Sequence, residues 1–140
     1  MAEDTELREF AERLIRLVRD RAIKECDQFA AGEIRGTRGE RWRGIVVDAS
    51  AHHALSALIL DIVDQVLFEF LNAVDNDELP LGWRRTDGSF VALEEMGQGE
   101  MAGWLMGGEG GWLDDFSTQR FSNPPTGVTL KEDWDDLSGA

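Results

Sequence analysis

Residues 50–74 read SAHHALSALILDIVDQVLFEFLNAV, and this stretch decides the fold. Apolar side chains recur in it at intervals of three and four residues, which is the period of a helix. One apolar face is formed by Leu55, Leu58, Ile59, Ile62, Val66 and Phe70, and the face is widened by Leu60, Val63, Leu67, Leu71 and Val74. A helix that is apolar around most of its circumference is typical of a protein interior. We therefore expect a buried central helix against which the other elements pack.

A narrow polar stripe interrupts this helix, and its members are His53, Asp61, Asp64, Gln65, Glu69 and Asn72. Imidazole and carboxylate groups bind metal ions, so His53, Asp61 and Asp64 could serve a small helical metal-dependent hydrolase. The spacing argues against it, because eight residues separate His53 from Asp61, about 12 Å of helix rise. His-Glu-x-x-His and Glu-x-x-His motifs are also missing. The hydrolase is our alternative function, and the sequence predicts neither a metal site nor a cofactor.

Two further helices are predicted before the central one. Residues 5–31 place these side chains on one side at helical spacing: Leu7, Phe10, Ala11, Leu14, Leu17, Val18, Ala22, Cys26 and Phe29. The arginines of this helix alternate with acidic residues, which is typical of a solvated helix surface. Residues 38–47 predict a second, short helix. The chain should therefore begin with three helices.

The part of the chain after residue 75 predicts a different architecture. Asp87-Gly88 lies between two short apolar stretches, which is a hairpin signal. Residues 96–112 are rich in Gly, Met and Trp, and we expect this segment to pack against the central helix. The predicted fold is α+β and mainly helical, with a small β-hairpin. Residues 1–121 should form a single globular domain, and residues 122–140 an acidic, flexible tail.

The net charge of −14 is unevenly distributed along the 140 residues. Residues 1–43 carry ten basic and ten acidic side chains, whereas residues 44–140 carry four basic and eighteen acidic ones. Such a field repels nucleic acid and anionic lipid surfaces and attracts basic proteins. The functional interpretation is a basic protein partner, with no nucleic-acid partner and no membrane association. The competing interpretation is that the acidity only keeps the protein soluble.

Cysteine usage and apolar run length indicate a compartment. Cys26 is the only cysteine, so no internal disulfide is possible and a reducing environment is favoured. The longest charge-free run within the apolar stretch, residues 49–60, is far shorter than the roughly 20 residues of a spanning helix. The sequence predicts a cytoplasmic protein, and it leaves the oligomeric state open.

The Gly-rich segment supplies the candidate contact residues. Trp104, Trp112, Asp114 and Asp115 combine large aromatic and acidic side chains on a Gly- and Met-rich stretch. That composition is typical of protein interfaces, where rigid aromatic side chains act as anchors. The competing interpretation is that Trp104, Trp112 and their apolar neighbours close the core. We expect most of them to be core residues and one tryptophan to be exposed.

Motifs for enzyme chemistry are missing. The sequence contains no Gly-x-Ser-x-Gly nucleophile motif. Its glycines lack the Gly-Lys-Ser/Thr ending of a phosphate loop, and Glu100 and Glu109 lie among them. The leading hypothesis is a non-enzymatic acidic interaction protein, in its sharpest form an immunity- or antitoxin-like inhibitor of a cationic toxin, with no catalytic residues.

A resemblance rests on three short motifs. They are Val-Arg-Asp-Arg-Ala-Ile at residues 18–23, Glu-Met-Ala-Gly-Trp-Leu at residues 100–105, and Gly-Trp-Leu-Asp-Asp-Phe-Ser at residues 111–117. In this order around a long apolar helix, they resemble a group of small uncharacterised bacterial proteins with a Gly-Trp-Leu/Ile…Phe-Ser segment near the C-terminus. The resemblance implies no activity and assigns no functional residue.

Overall fold

The computed structural model describes residues 2–107 and 110–120, and it has a mainly helical α+β fold, as predicted. The helices and strands, in order, are α1 (Ala2–Arg13), a π-helical segment (Leu14–Arg19), α2 (Asp20–Ala30), α3 (Thr37–Ile45), α4 (Ala49–Asp75), β1 (Gly82–Arg84), β2 (Phe90–Ala92), α5 (Leu93–Met96), α6 (Met101–Leu105) and α7 (Trp112–Phe116). Within the described ranges, no helix combines the length and apolarity that crossing a membrane requires. The predicted tail, residues 122–140, lies outside the described residues, so the domain boundaries stay predictions.

The π-helical segment joins α1 and α2 without a break. It determines which side of α1 and which side of α2 is turned toward the core. Four fully buried side chains follow one another at steps of four residues, namely Ala11, Ile15, Arg19 and Ile23. A step of four residues in an α-helix advances about 40° beyond a full turn, whereas the wider π turn falls short of one. The π segment therefore cancels part of the drift. Leu17 and Val18 point outward, 47% and 51% exposed, so their predicted place on the buried side is wrong.

Helix α4 is fixed at both ends by local hydrogen bonds. The Asp48 carboxylate accepts a bond of 2.8 Å from the Ala51 N–H and caps the N-terminus. At the other end Asp77 adopts a left-handed conformation, with φ of 56°, and its N–H donates to the Val74 carbonyl. These caps confirm the long helix predicted from the apolar period.

The C-terminal residue of α4 also caps a second helix. The Asp75 carboxylate accepts hydrogen bonds from the N–H groups of Met101 (3.1 Å) and Ala102 (2.8 Å) at the start of α6. Helix α6 has no side-chain cap of its own. Asp75 therefore connects the Gly/Trp-rich segment to α4, in line with the predicted packing.

The core lies on one face of α4 and consists of two clusters. The face turned inward carries Leu60, Asp64, Leu67, Leu71 and Val74. The larger cluster joins α1 and α5–α7 to the C-terminal half of α4, and the smaller one joins Ile23 and Ala30 of α2 to its N-terminal half. Val63 packs against both clusters.

The opposite face of α4 lies open, which corrects the predicted burial all round. Leu58, Ile62 and Val66 are 51%, 61% and 64% exposed. We call these three residues the α4 outer face. The sequence pattern was apolar on both sides of α4, and the side that becomes buried is chosen by the contacts of α2, α5, α6 and the π-helical segment. The periodicity of α4 alone could not make that choice.

The predicted hairpin around Asp87-Gly88 is confirmed, and it packs on α1. Gly82 pairs with Ala92 and Arg84 with Phe90 in antiparallel register. The Trp83 ring meets Phe10 edge-on at a centroid distance of 5.8 Å. These contacts supply the support that a two-stranded sheet needs in water.

The turn of the hairpin is held by its own polar groups. Gly88 has φ of +88°, a conformation that glycine adopts without steric cost. The Asp87 carboxylate accepts hydrogen bonds from the Ser89 N–H (2.8 Å) and hydroxyl (2.6 Å). These bonds to Ser89 lower the pKa of Asp87 below its ordinary value, because they favour the ionised form.

Candidate protein-binding surface

Helices α6 and α7 bring three of the four predicted contact residues to one cleft. The indole rings of Trp104 and Trp112 lie 6.2 Å apart between centroids, tilted by 51°. The cleft has a volume of about 540 Å³ and is lined by Leu7, Arg8, Gln98, Trp104, Gly107, Gly110, Gly111, Trp112 and Asp115. We call it the tryptophan cleft. Asp114 is the predicted contact residue that does not line it.

The two tryptophans differ in exposure. Trp112 is 7% exposed and meets Phe10 edge-on at 6.2 Å, so it is a core residue. Leu105 and Phe116 are buried as well, which confirms the core interpretation for most of the segment. Trp104 is half-buried, and of the pair only its indole offers appreciable surface to a partner.

The acidic residues of this region already have partners within the chain. Asp115 forms an ion pair of 3.5 Å with Arg8, whose guanidinium lies 5.0 Å from the Phe116 ring centre. The Asp114 carboxylate accepts a hydrogen bond of 3.2 Å from the Gly110 N–H. Both aspartates remain exposed, so they contribute to the negative field although each has a partner within the chain.

The polar stripe of α4 is divided between two environments. His53 and Asp61 are exposed, whereas Asp64 is 3% exposed and faces the core. Both oxygens of Asp64 accept hydrogen bonds from Arg19, at 2.6 and 3.3 Å. Across residues 2–107 and 110–120, no group of three or more His, Cys, Asp and Glu side chains could hold a metal ion. The structure thus separates Asp64, which is paired with Arg19, from the exposed His53 and Asp61.

A fully satisfied guanidinium is buried between α4 and the segment that follows α7. Arg19 is completely buried, and its five N–H groups have five acceptors in the structure. Besides the two Asp64 oxygens, these acceptors are Asp20 Oδ1 (3.1 Å), Ser117 Oγ (2.8 Å) and the Arg120 carbonyl (3.1 Å). A buried charge is tolerated only when it is paired and fully hydrogen-bonded, and Arg19 meets both conditions. It has no donor left for a ligand.

This network fastens residues 116–120 to the helices. Asp20 accepts bonds from the Ser117 hydroxyl (2.9 Å) and the Thr118 N–H (2.8 Å). Arg120 forms a bidentate pair with Asp27, at 2.7 and 2.8 Å, and donates to the Ser56 carbonyl at 2.9 Å. The hydrogen bonds to Asp27 raise the pKa of Arg120 above its ordinary value. The role of the network is structural, because every group in it serves another part of the chain.

Sequence reasoning missed the Arg19 network. The arginines of the first helix were expected on a solvated surface, and that expectation is wrong for Arg19. A signal did exist, since Asp64 falls between Leu60 and Leu67 in the same three- and four-residue spacing as the core positions of α4. An acid at such a position needs a buried cation.

Cys26 shows no sign of activation. Its side chain is half-buried beside the smaller core cluster. Burial raises the pKa of the Cys26 thiol above its ordinary value, and the nearby Asp27 carboxylate adds to the effect. A catalytic cysteine requires the opposite shift.

The α4 outer face is the part of this helix where apolar side chains are most exposed. Three aliphatic side chains more than half exposed follow one another at i, i+4 and i+8. Helix α4 also carries four acidic residues and no lysine or arginine. Isolated exposed aliphatic residues are common, but an exposed row on a single helix face is typical of an interaction site.

Comparison of the chain with protein-family models, with curated proteins and with solved structures finds no match. The resemblance to the group of small bacterial proteins stays a prediction.

Proposed function

We propose that this chain is a non-enzymatic interaction protein that holds a basic protein partner. The observation that carries the proposal is the α4 outer face, an exposed aliphatic row on a helix whose charged residues are all acidic. An apolar row in a negative setting favours a partner that offers apolar side chains among lysines and arginines. An immunity- or antitoxin-like inhibitor of a cationic toxin is the sharpest form of this function.

The charge of the whole chain supports the same class of partner. Net charge is −14, and the excess lies entirely after residue 43, in the part of the chain that contains α4 and most residues of the tryptophan cleft. Complementary charge speeds the encounter of two proteins, while apolar contacts govern how long they stay together. The α4 outer face and the tryptophan cleft are the two surfaces where such contacts could form.

Affinity capture with paired variants tests the proposal. The wild-type chain, Ile62→Ser and Trp104→Ala would each be immobilised and exposed to extract from the source cells at low salt. We expect the wild type to retain a protein with an isoelectric point above about 9 that is released as salt rises. At least one variant should retain clearly less of it. An acidic partner, or one indifferent to salt and to both substitutions, would contradict the function.

A further inference from the structure

Two rows of side chains run side by side along the exposed part of α4. Leu58, Ile62 and Val66 form the apolar row, at i, i+4 and i+8, and extend over about 12 Å of helix. Three residues after each of them lies a polar side chain of the second row: Asp61, Gln65 and Glu69. All six residues are exposed.

The polar row is negative and partly ordered. Gln65 Nε2 donates a hydrogen bond of 3.0 Å to Glu69 Oε1, which aligns two of its members along the helix. Asp61 and Glu69 carry the charge of the row, and no basic side chain of α4 neutralises them. An apolar row bordered by a negative row is the surface complement of an amphipathic helix with basic flanks.

We propose that the α4 outer face binds an amphipathic helix of the basic partner, with aliphatic side chains against Leu58, Ile62 and Val66 and lysines or arginines along Asp61 and Glu69. This inference rests on the proposed function and adds the contact surface and the form of the partner. A bound helix places its apolar anchors about one turn apart, at i, i+3, i+4 and i+7, and the residues of the apolar row are also about one turn apart, at i, i+4 and i+8.

Charge argues against two other occupants of the face. A second copy that packed its own α4 here in antiparallel orientation would bring the Asp61 and Glu69 rows of both chains together, and like charges at an interface are repulsive. Residues 121–140 contain one lysine and four acidic residues, so they too would add negative charge beside the row. A basic helix is the occupant that both rows favour.

The test uses the full chain and a synthetic amphipathic helix with leucines on one face and lysines on its borders. We expect binding that Ile62→Ser weakens by about ten-fold or more, since tenfold corresponds to about 1.4 kcal/mol. Leu17→Ser is the matched control, because Leu17 is similarly exposed on another helix. It should change affinity less than about two-fold.

Charge reversal tests the polar row. The double variant Asp61→Lys, Glu69→Lys should weaken binding of the lysine peptide more than Glu78→Lys, Glu95→Lys, which changes the net charge equally at other exposed sites. A peptide with glutamates in place of lysines should show the reverse order of affinities. Equal losses for the two double variants would mean that the peptide senses only the total charge, and the proposed face would be wrong.

Other outcomes separate this inference from the proposed function. If a basic partner binds and only Trp104→Ala weakens it, the α4 mode fails and the function stands. If sedimentation shows a dimer that Ile62→Ser converts to a monomer, a second copy covers the face and the inference is overturned. If Trp134→Ser shifts the amide resonances of residues 58–69 without peptide, the chain covers its own face, which overturns it as well. Failure of every basic probe and partner to bind overturns both.

Discussion

At the scale of single residues, Arg19 shows how a buried charge can become a point of attachment. Its side chain joins Asp64 of α4, Asp20 of α2 and the segment that follows α7. Asp64 and Asp20 are both buried, so water does not readily take the place of the guanidinium at either carboxylate. The energetic consequence of the network appears mainly when one member is removed.

Replacement of Arg19 with Met should therefore lower the free energy of unfolding by about 3–5 kcal/mol, because the buried Asp64 carboxylate would lose the cation that it is paired with. Chemical denaturation measures the loss. Arg21→Met is the control, since Arg21 is exposed and should contribute less than about 0.5 kcal/mol. The double variant Arg19→Met, Asp64→Leu should recover part of the loss. A change below about 1 kcal/mol for Arg19→Met would show that the network does not support the fold.

Cys26 provides a test of burial and pH. Because its pKa is raised, the fraction of reactive thiolate at a given pH is smaller in the folded chain than in the unfolded chain. The rate of alkylation should reach half its maximum at a higher pH in the native protein than in denaturant. Identical pH profiles in the two states would contradict the shift.

At the scale of elements, α4 determines the position of everything after it. Its inner face supplies one side of both core clusters, and its last residue, Asp75, caps α6. An error in the length or orientation of α4 would thus displace the tryptophan cleft as well.

Leu67 and Ile62 distinguish the two faces of α4. Leu67 is 5% exposed, and Leu67→Ala should cost about 2–5 kcal/mol of unfolding free energy through lost burial and a cavity. Ile62 is 61% exposed, and Ile62→Ala should cost less than about 1 kcal/mol. Urea titrations of both variants measure the difference. Equal losses at the two positions would mean that the outer face is covered within the chain.

The Asp75 cap has its own expected effect. Asp75→Ala leaves the Met101 and Ala102 N–H groups without their acceptor and should cost about 0.5–2 kcal/mol. Hydrogen exchange should be faster at these two amides than in the wild type. Glu78→Ala, an exposed acid close by in sequence, serves as the control and should leave both exchange rates unchanged.

The helices and strands themselves could be predicted from the sequence. Which side of each helix is turned toward the core could not. The apolar period of residues 50–74 and the Asp87-Gly88 turn depend on local interactions, so α4 and the hairpin were predicted correctly. The outer face of α4 depends on which side neighbouring elements pack against, which is tertiary information. Arg19 was missed because four of its five acceptors lie 45 or about 100 positions away in the chain.

The candidate site was predicted in part. Composition drew attention to Trp104, Trp112 and Asp115, and the structure does place them around one cleft. The composition could not show that Trp112 is buried, because tryptophan occurs both in protein cores and in interfaces. The exposed row of α4 was read as interior for the same reason.

At the scale of the whole molecule, the uneven charge predicts how a partner would arrive. Association with a basic partner should be fast at low ionic strength and slow markedly above about 0.15 M salt, where the Debye length is about 8 Å. Neutralising Asp114 and Asp115 should act mainly on the association rate, and Trp104→Ala on the dissociation rate. Stopped-flow measurements at several salt concentrations separate the two. An association rate independent of salt would leave the acidity without a role in recognition.

The π-helical segment between α1 and α2 sets the rotation of one helix relative to the other about their shared axis. Helix α1 packs in the larger core cluster, and α2 packs in the smaller one. A single deletion there would turn one half against the other by about 100°, the rotation of one residue in an α-helix. Phe10 and Ile23 could then no longer face their clusters at the same time. Insertions and deletions are tolerated in other surface helices. Within residues 14–19 they should not be tolerated, although Leu17 and Val18 are exposed there.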